Sequence, residues 1–198
     1  EKLIKQLKNK KHSTIENLLI KKPSKGVEVG GDNYLNYNEK EGKNFYRISD
    51  FNFFGFSHDC KKITNKIFTE NKKHKISQGD VLFSKDGTLG ISYHVDEEIN
   101  GILSAAFLIL PFKENISKEY LSFVLNSQII KDQILKISGG AIINHIKPDE
   151  VLSLIVPLLD NIDVKKIDSQ MKNIKKLYRN AYDMVSECVL QLEENINK

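Results

Sequence analysis

Apolar residues recur at different periods along the 198-residue chain, and each period predicts a different kind of element. Residues 1–11 place Leu3, Ile4 and Leu7 at helical spacing in a Lys-rich stretch, and Ser13 with Glu16 three residues on matches a capping box ahead of the run 15–19. Pro23, Gly26, Gly30 and Gly31 then punctuate the chain and mark the passage to a different architecture. From residue 34 to about 110 the runs are short: "NFYRISDFNFFGF" (44–56) is aromatic and β-prone, "VLFS" and "LGISYHV" are strand-sized, and "GILSAAFLILP" is an apolar run ended by Pro111. No helix-length segment fits between them, which predicts a twisted, mostly antiparallel sheet or partial barrel.

The period changes at Ser117. Tyr120, Leu121, Val124, Leu125, Ile129 and Leu135 predict an amphipathic helix or helix pair, opened by Ser117 and stopped by Gly139 and Gly140. A short helix is expected near Pro148, where "KPDEVLSL" puts proline in a first turn beside acids. In the last segment Ile167, Met171, Ile174, Tyr178, Ala181, Val185, Cys188, Leu192 and Asn195 alternate spacings of four and three, a heptad seam. Such a register predicts a coiled-coil arm meeting another helix; the alternative is a long helix folded back on its own domain. The fold class is therefore α+β, a β-rich body with short helices followed by a long C-terminal coiled-coil helix.

Composition narrows the function classes. With 40% apolar and 28% charged residues the chain is expected to fold. Neither a membrane span nor a signal peptide is visible, which predicts a cytoplasmic protein without a membrane partner. Cys60 and Cys188 stand far apart without a CxxC spacing, so neither a disulfide framework nor a zinc knuckle is expected. The net charge of +4 says little by itself, but lysines gather at 5–11, 21–25, 61–75 and 165–176 while acids gather at 39–41, 96–98 and the C-terminal end. That segregation permits a basic face.

"SKDGTLG" (84–90) interrupts two apolar runs. Asp86 and Gly87 fit a tight β-turn, and Lys85 and Thr88 at such a turn can reach a phosphate or a base edge. The spacing is neither that of a Walker loop nor that of a dinucleotide fingerprint. His58, His74, His94 and His145 are scattered without paired-ligand spacing, and no nucleophile elbow or Cys/His pair is present. No metal, cofactor or catalytic residue is expected, and the chain reads as a binder.

Taken in order, "ISQGDVLFSKDGTLG" (76–90), "GILSAAFLILP", "EYLSFVLNSQIIKDQI" (119–134), "SGGAIINHIKPDEVLSLIVPLL" (138–159) and the trailing heptad helix resemble a target recognition domain of a type I restriction-modification specificity subunit, over about residues 46–198. The resemblance implies a domain that reads one half of a split DNA sequence, and long helices that act as spacers and dock methyltransferase subunits. Together with the spacing of the first residues it implies an N-terminal helical segment (1–19), a recognition domain (20–160) and a spacer or dimerisation helix (161–198). Its partners would be double-stranded DNA, methyltransferase and restriction subunits, and a second copy through the seam. Carried over by motif, Lys85, Asp86, Gly87 and Thr88 form one DNA-facing loop; Gly139, Gly140, Asn144, His145 and Lys147 form a second; and Tyr46, Arg47 and Asp50 a third. Two features depart from the family pattern: "VPLLDNIDVKKID" (156–168) stands where the family continues from an Ile-Pro-x-Pro stretch into a Glu-Glu-Gln motif, and no second "GDVLFSKDG" unit occurs. A half-subunit that dimerises, or a domain of a fused enzyme, fits these departures, and the opening "EKLIKQLKNKK" reads as a helix caught mid-course.

Within that reading Lys72, Lys73, Lys75 and Lys147 are expected to neutralise phosphates, while Arg47, Asp50, Asn144 and His145 are expected to read bases. Asp86 either accepts from a cytosine amino group or stabilises its own turn. A competing reading is a protein-interaction adaptor with a β-rich binding body and an oligomerisation helix.

Overall fold

Four small sheets and a set of short helices make up the first part of this computed structural model, which describes residues 7, 10–35, 41–57, 60–140 and 144–196. Two compact units are separated by chain position, Glu1–Leu159 and Asp160–Lys198. The first contains β1 (His12–Thr14), α1 (Ile15–Leu18), β2 (Ser24–Lys25), β3 (Lys43–Tyr46), β4 (Phe51–Asn52), β5 (Gly55–Phe56), β6 (Lys61–Ile63), α2 (Asn65–Glu70), β7 (Val81–Ser84), β8 (Ser92–His94), β9 (Gly101–Leu103), β10 (Phe107–Leu110), α3 (Lys118–Leu125), α4 (Gln128–Ile137), α5 (Pro148–Leu152) and β11 (Ile155–Pro157). The second is one helix, α6 (Asn161–Ile196).

The central sheet runs β2-β10-β7-β8, and all its pairings are antiparallel. β7 is "VLFS", buried at all four positions, because both faces of the sheet are covered. On one face lie Leu82, Tyr93, Phe107 and Ile109, and the β4–β5 hairpin drives Phe51 and Phe56 onto them. Phe51 meets Phe107 edge-on at 4.9 Å and Tyr93 at 6.4 Å, and Tyr46 lies 4.1 Å from Phe56. Such pairs each add about 0.5–1.5 kcal/mol to the burial itself. On the other side α3 packs against β7 and β8, with the Ser117 hydroxyl accepting from the Tyr120 N–H at 3.1 Å as the expected cap. His94 at the end of β8 bonds buried Glu119 of α3 at 2.9 Å.

A second sheet runs β6-β3-β9. Its β3–β9 pairing is parallel, whereas the strand pattern predicts mostly antiparallel neighbours. The parallel pair arises because β9 and β10 are one apolar run broken at 104–106, so that the two halves join different sheets. α2 also departs from the all-strand expectation for 34–110; Thr64 caps it, its hydroxyl accepting from the Ile67 N–H at 3.3 Å. The described strands close no barrel.

Near the N-terminus β1 pairs with β11 and α1 begins directly after it at Ile15, so the cap is Thr14, whose hydroxyl accepts from the Asn17 N–H, and not Ser13. Of the helix expected over 1–11, Leu7 is helical and residues 1–6, 8 and 9 lie outside the described ones. The Ser117–Ile137 periodicity resolves into the pair α3 and α4, and Gly139 and Gly140 end α4 with φ of +65° and +86°. Two side-chain amides finish sheet edges. Asn126 accepts from the Ser92 N–H and donates to its carbonyl (3.1 and 2.7 Å), and Gln133 does the same for Ile155 (2.8 and 2.9 Å). In α6, Ile174, Val185 and Leu192 of the seam are 42%, 64% and 60% exposed, whereas Met171 is buried. No described helix is long and apolar enough to cross a membrane.

Candidate nucleic-acid interface

The "SKDGTLG" segment starts at the last residue of β7, and the connection to β8 is the seven residues 85–91, not a two-residue hairpin turn. Its neck is closed by Ser84, whose hydroxyl donates to the Thr88 carbonyl at 2.6 Å and accepts from the Ile91 N–H at 2.8 Å. The Gly90 N–H bonds the Ser84 carbonyl at 3.0 Å, and the Ser84 N–H bonds the Ile91 carbonyl at 2.9 Å. Gly87 and Gly90 have φ of +70° and +78°, a region that costs other residues strain.

One carboxylate ties this loop to the segment before α5. Asp86 accepts from the Lys85 ammonium through one oxygen and from the His145 ring through the other. The backbones follow: the Gly87 N–H donates to the Asn144 carbonyl at 2.8 Å, and the Ile146 N–H donates to the Lys85 carbonyl at 2.9 Å. Ile146 is fully buried and anchors this second segment. Lys147 N–H bonds the Glu150 carboxylate at 2.8 Å at the start of α5. Burial pulls the Asp86 carboxyl upward, but the bonds from His145 and Lys85 outweigh it and hold the group below the ordinary aspartate range.

The third predicted segment joins the same place. Residues 48–50 form a single 3-10 turn, and Gly87 packs so near it that an added Cβ would lie 3.4 Å from Ile48 Cγ2. A cleft of about 460 Å³ is lined by Arg47 and Ser49 from this turn, by Asp86 and Gly87, and by Glu28, Tyr34 and Ser104. Asp50 is 5% exposed and accepts from the Arg47 N–H (3.0 Å), Arg47 Nε (3.0 Å), Arg47 Nη2 (2.8 Å) and the Ser49 hydroxyl (2.9 Å). Burial raises its carboxyl, yet the Arg47 bonds prevail and the group sits below the ordinary range.

The sequence-predicted residues thus fall into three sets. Gly87, Thr88, Asn144, His145 and Lys147 are exposed around one rim, with Arg47 and Asp86 half-buried beside them. Tyr46, Asp50 and Lys85 are buried beneath it; Tyr46 belongs to the aromatic core, where burial pushes its hydroxyl up to about 12. Gly139 and Gly140 face open space for an added Cβ, so helix termination accounts for both; residues 141–143 of their loop lie outside the described ones. Lys72, Lys73 and Lys75 are elsewhere. Lys73 and Lys75 line a separate cleft with Lys21, Lys118 and residues 77–80 and 109–112, at the end of β7 and β10 opposite the loop. Sequence reasoning missed Ser84, Tyr34 and Ser104; the Ser84 side chain was legible only as the place where an apolar run stops. Among the described residues no three His, Cys, Asp or Glu side chains are grouped to hold a metal ion.

No protein-family model matches the chain, and no curated protein matches it. Solved structures do, and they define the fold as that of type I restriction-modification specificity subunits. A chain from a structure on complex assembly and conformational transition of the type I R-M system aligns with a TM-score of 0.58 at 13% identity, over 93% of this chain and 43% of that one. The HsdS subunit from Thermoanaerobacter tengcongensis gives 0.54 at 13%, over 88% and 39%, and the S subunit of the type I system from M. genitalium gives 0.57 at 12%, over 98% and 46%. The chain spans less than half the length of each of these proteins.

The Asp86 linkage has a measurable weight. Replacing Asp86 with Ala leaves the buried Lys85 ammonium without that partner and is expected to cost about 1–3 kcal/mol of stability. Because the folded carboxyl is depressed, the contribution is complete above the ordinary aspartate range near about pH 3.9 and is lost as pH falls through the folded value. Thermal unfolding of wild type and variant should therefore converge in acid; a constant gap down to the lowest pH would contradict the ion pair.

Proposed function

We propose that this chain is a non-catalytic DNA-recognition domain of a restriction-modification system, reading double-stranded DNA and directing partner methyltransferase subunits to the site. The observation that carries the reading is the convergence of three loops, from positions far apart in sequence, on one rim that exposes donors and acceptors of the kinds that contact DNA. Lys147 supplies charge for phosphates, and Asn144 and His145 present groups suited to base edges. Thr88 and the Gly87 backbone allow close approach. The fold shared with specificity subunits supports the same conclusion. Lys73 and Lys75, on their separate cleft at the other end of the sheet, are left out of this rim. In this reading α6 is the assembly element, the exposed part of its seam taking a helix from a second copy.

Fluorescence anisotropy tests the DNA claim. Asn144→Ala should cost about 1–3 kcal/mol on a selected site and little on random duplex, while Lys147→Ala should weaken every duplex and reduce the salt slope by about one. A chain that ignores duplexes of every composition at low salt would leave the adaptor reading in its place.

Assembly is tested by sedimentation. The double substitution Ile174→Asp and Val185→Asp buries charge in the seam and is expected to turn a dimer into a monomer while the first unit stays folded. Equal mass for wild type and variant would remove the seam from assembly.

A further inference from the structure

The turn at 47–50 separates two residues that the sequence placed in the same role. Asp50 is buried and its four bonds come from within the turn: two from the Arg47 guanidinium, one from the Arg47 N–H and one from the Ser49 hydroxyl. A carboxylate so enclosed cannot meet a base. Its bonds nevertheless fix Arg47 at both ends, backbone and guanidinium, on a turn whose flanking residues Tyr46 and Phe51 are locked in the aromatic core. The Ser57 N–H holds the Asp50 carbonyl at 2.8 Å, so the turn is also tied from below.

The way Arg47 is held leaves a defined edge. Asp50 takes the side formed by Nε and Nη2, which leaves both N–H groups of Nη1 and the second of Nη2 without a protein acceptor among the described residues. Those groups form the end-on fork of the guanidinium, the shape that pairs with O6 and N7 of guanine in the major groove. The Arg47 side chain is 33% exposed and lines the cleft shared with Asp86 and Gly87, at the rim assigned to DNA.

Resting on the DNA-recognition reading above, we propose that Arg47 is a specificity-determining residue for one guanine, and that Asp50 is the positioning residue that pre-orients its end-on fork. A lysine in place of Arg47 keeps the charge but loses the two-pronged geometry. Loss of the Asp50 charge frees the guanidinium to rotate, so the same base preference weakens without any contact to DNA being removed.

Selection of bound duplexes from a randomised pool is the test, using the whole chain as wild type, Arg47→Lys and Asp50→Asn. The wild type should enrich a motif containing a guanine that both variants cease to prefer, with the other positions of the motif kept. Substituting 7-deazaguanine at that position should weaken the wild type by about tenfold and leave Arg47→Lys unchanged. If circular dichroism shows that Asp50→Asn does not fold, the deaza substitution and Arg47→Lys decide the matter. A motif unaltered in Arg47→Lys, or a wild type indifferent to 7-deazaguanine at every guanine, overturns the assignment; a folded Asp50→Asn with full guanine preference overturns the positioning role. A wild type that enriches no motif counts against the recognition function as a whole, and so is distinguishable from failure of this inference.

Discussion

The Asp86 carboxylate is the joint on which the exposed rim depends. Through its two oxygens it binds an ammonium from its own loop and an imidazole from a segment some sixty positions later, and the backbones on either side then exchange two hydrogen bonds. Ile146 anchors the second segment in the core, and the charges around Asp86 tie the first loop to it. Burying the Lys85 ammonium is costly unless it is paired, so the loop's conformation with Asp86 turned inward is the one that satisfies the charge. The outcome is that Gly87, Thr88, Asn144 and His145 face outward together.

Beneath the rim, the sandwich around the central sheet supplies rigidity. β7 ends at Ser84, whose hydroxyl closes the neck of the loop, and the same strand is clamped between the aromatic hairpin and α3. The 47–50 turn rises directly from that hairpin, with Tyr46 and Phe51 as its roots. Rim segments from three parts of the chain thus share one packed foundation. Sites built on such supports hold their geometry better than free loops do.

Much of this was legible in the sequence, and what was not has identifiable causes. The Ser117 cap, the glycine stop after Ile137, the Pro148 helix and the heptad helix follow from local signals that operate within a turn or two of chain, and each appears where the signal lies. The parallel partnership of β3 with β9 depends on strands distant in sequence and carries no local mark. The loop at 85–88 was visible as a break in hydrophobicity, but Lys85 and Asp50 could not be told from exposed charges, since their burial is decided by Asp86 and Arg47. Tyr46 shows the same limit: an aromatic in a polar stretch serves a core or a surface equally well until its neighbours are known. The lysines at 72–75 were grouped with the rim by charge alone, and the sheet places Lys73 and Lys75 at its other end.

If one carboxylate joins the two loops into a single surface, their backbones must open together. Amide hydrogen exchange at Gly87 and Ile146 measures this directly, because each N–H bonds across the joint. Slow exchange at both amides in the wild type, lost at both in Asp86→Asn while the strands of the central sheet stay protected, is the predicted result. Protection at these two amides that survives the substitution would mean that the loops are held by something other than the Asp86 charge.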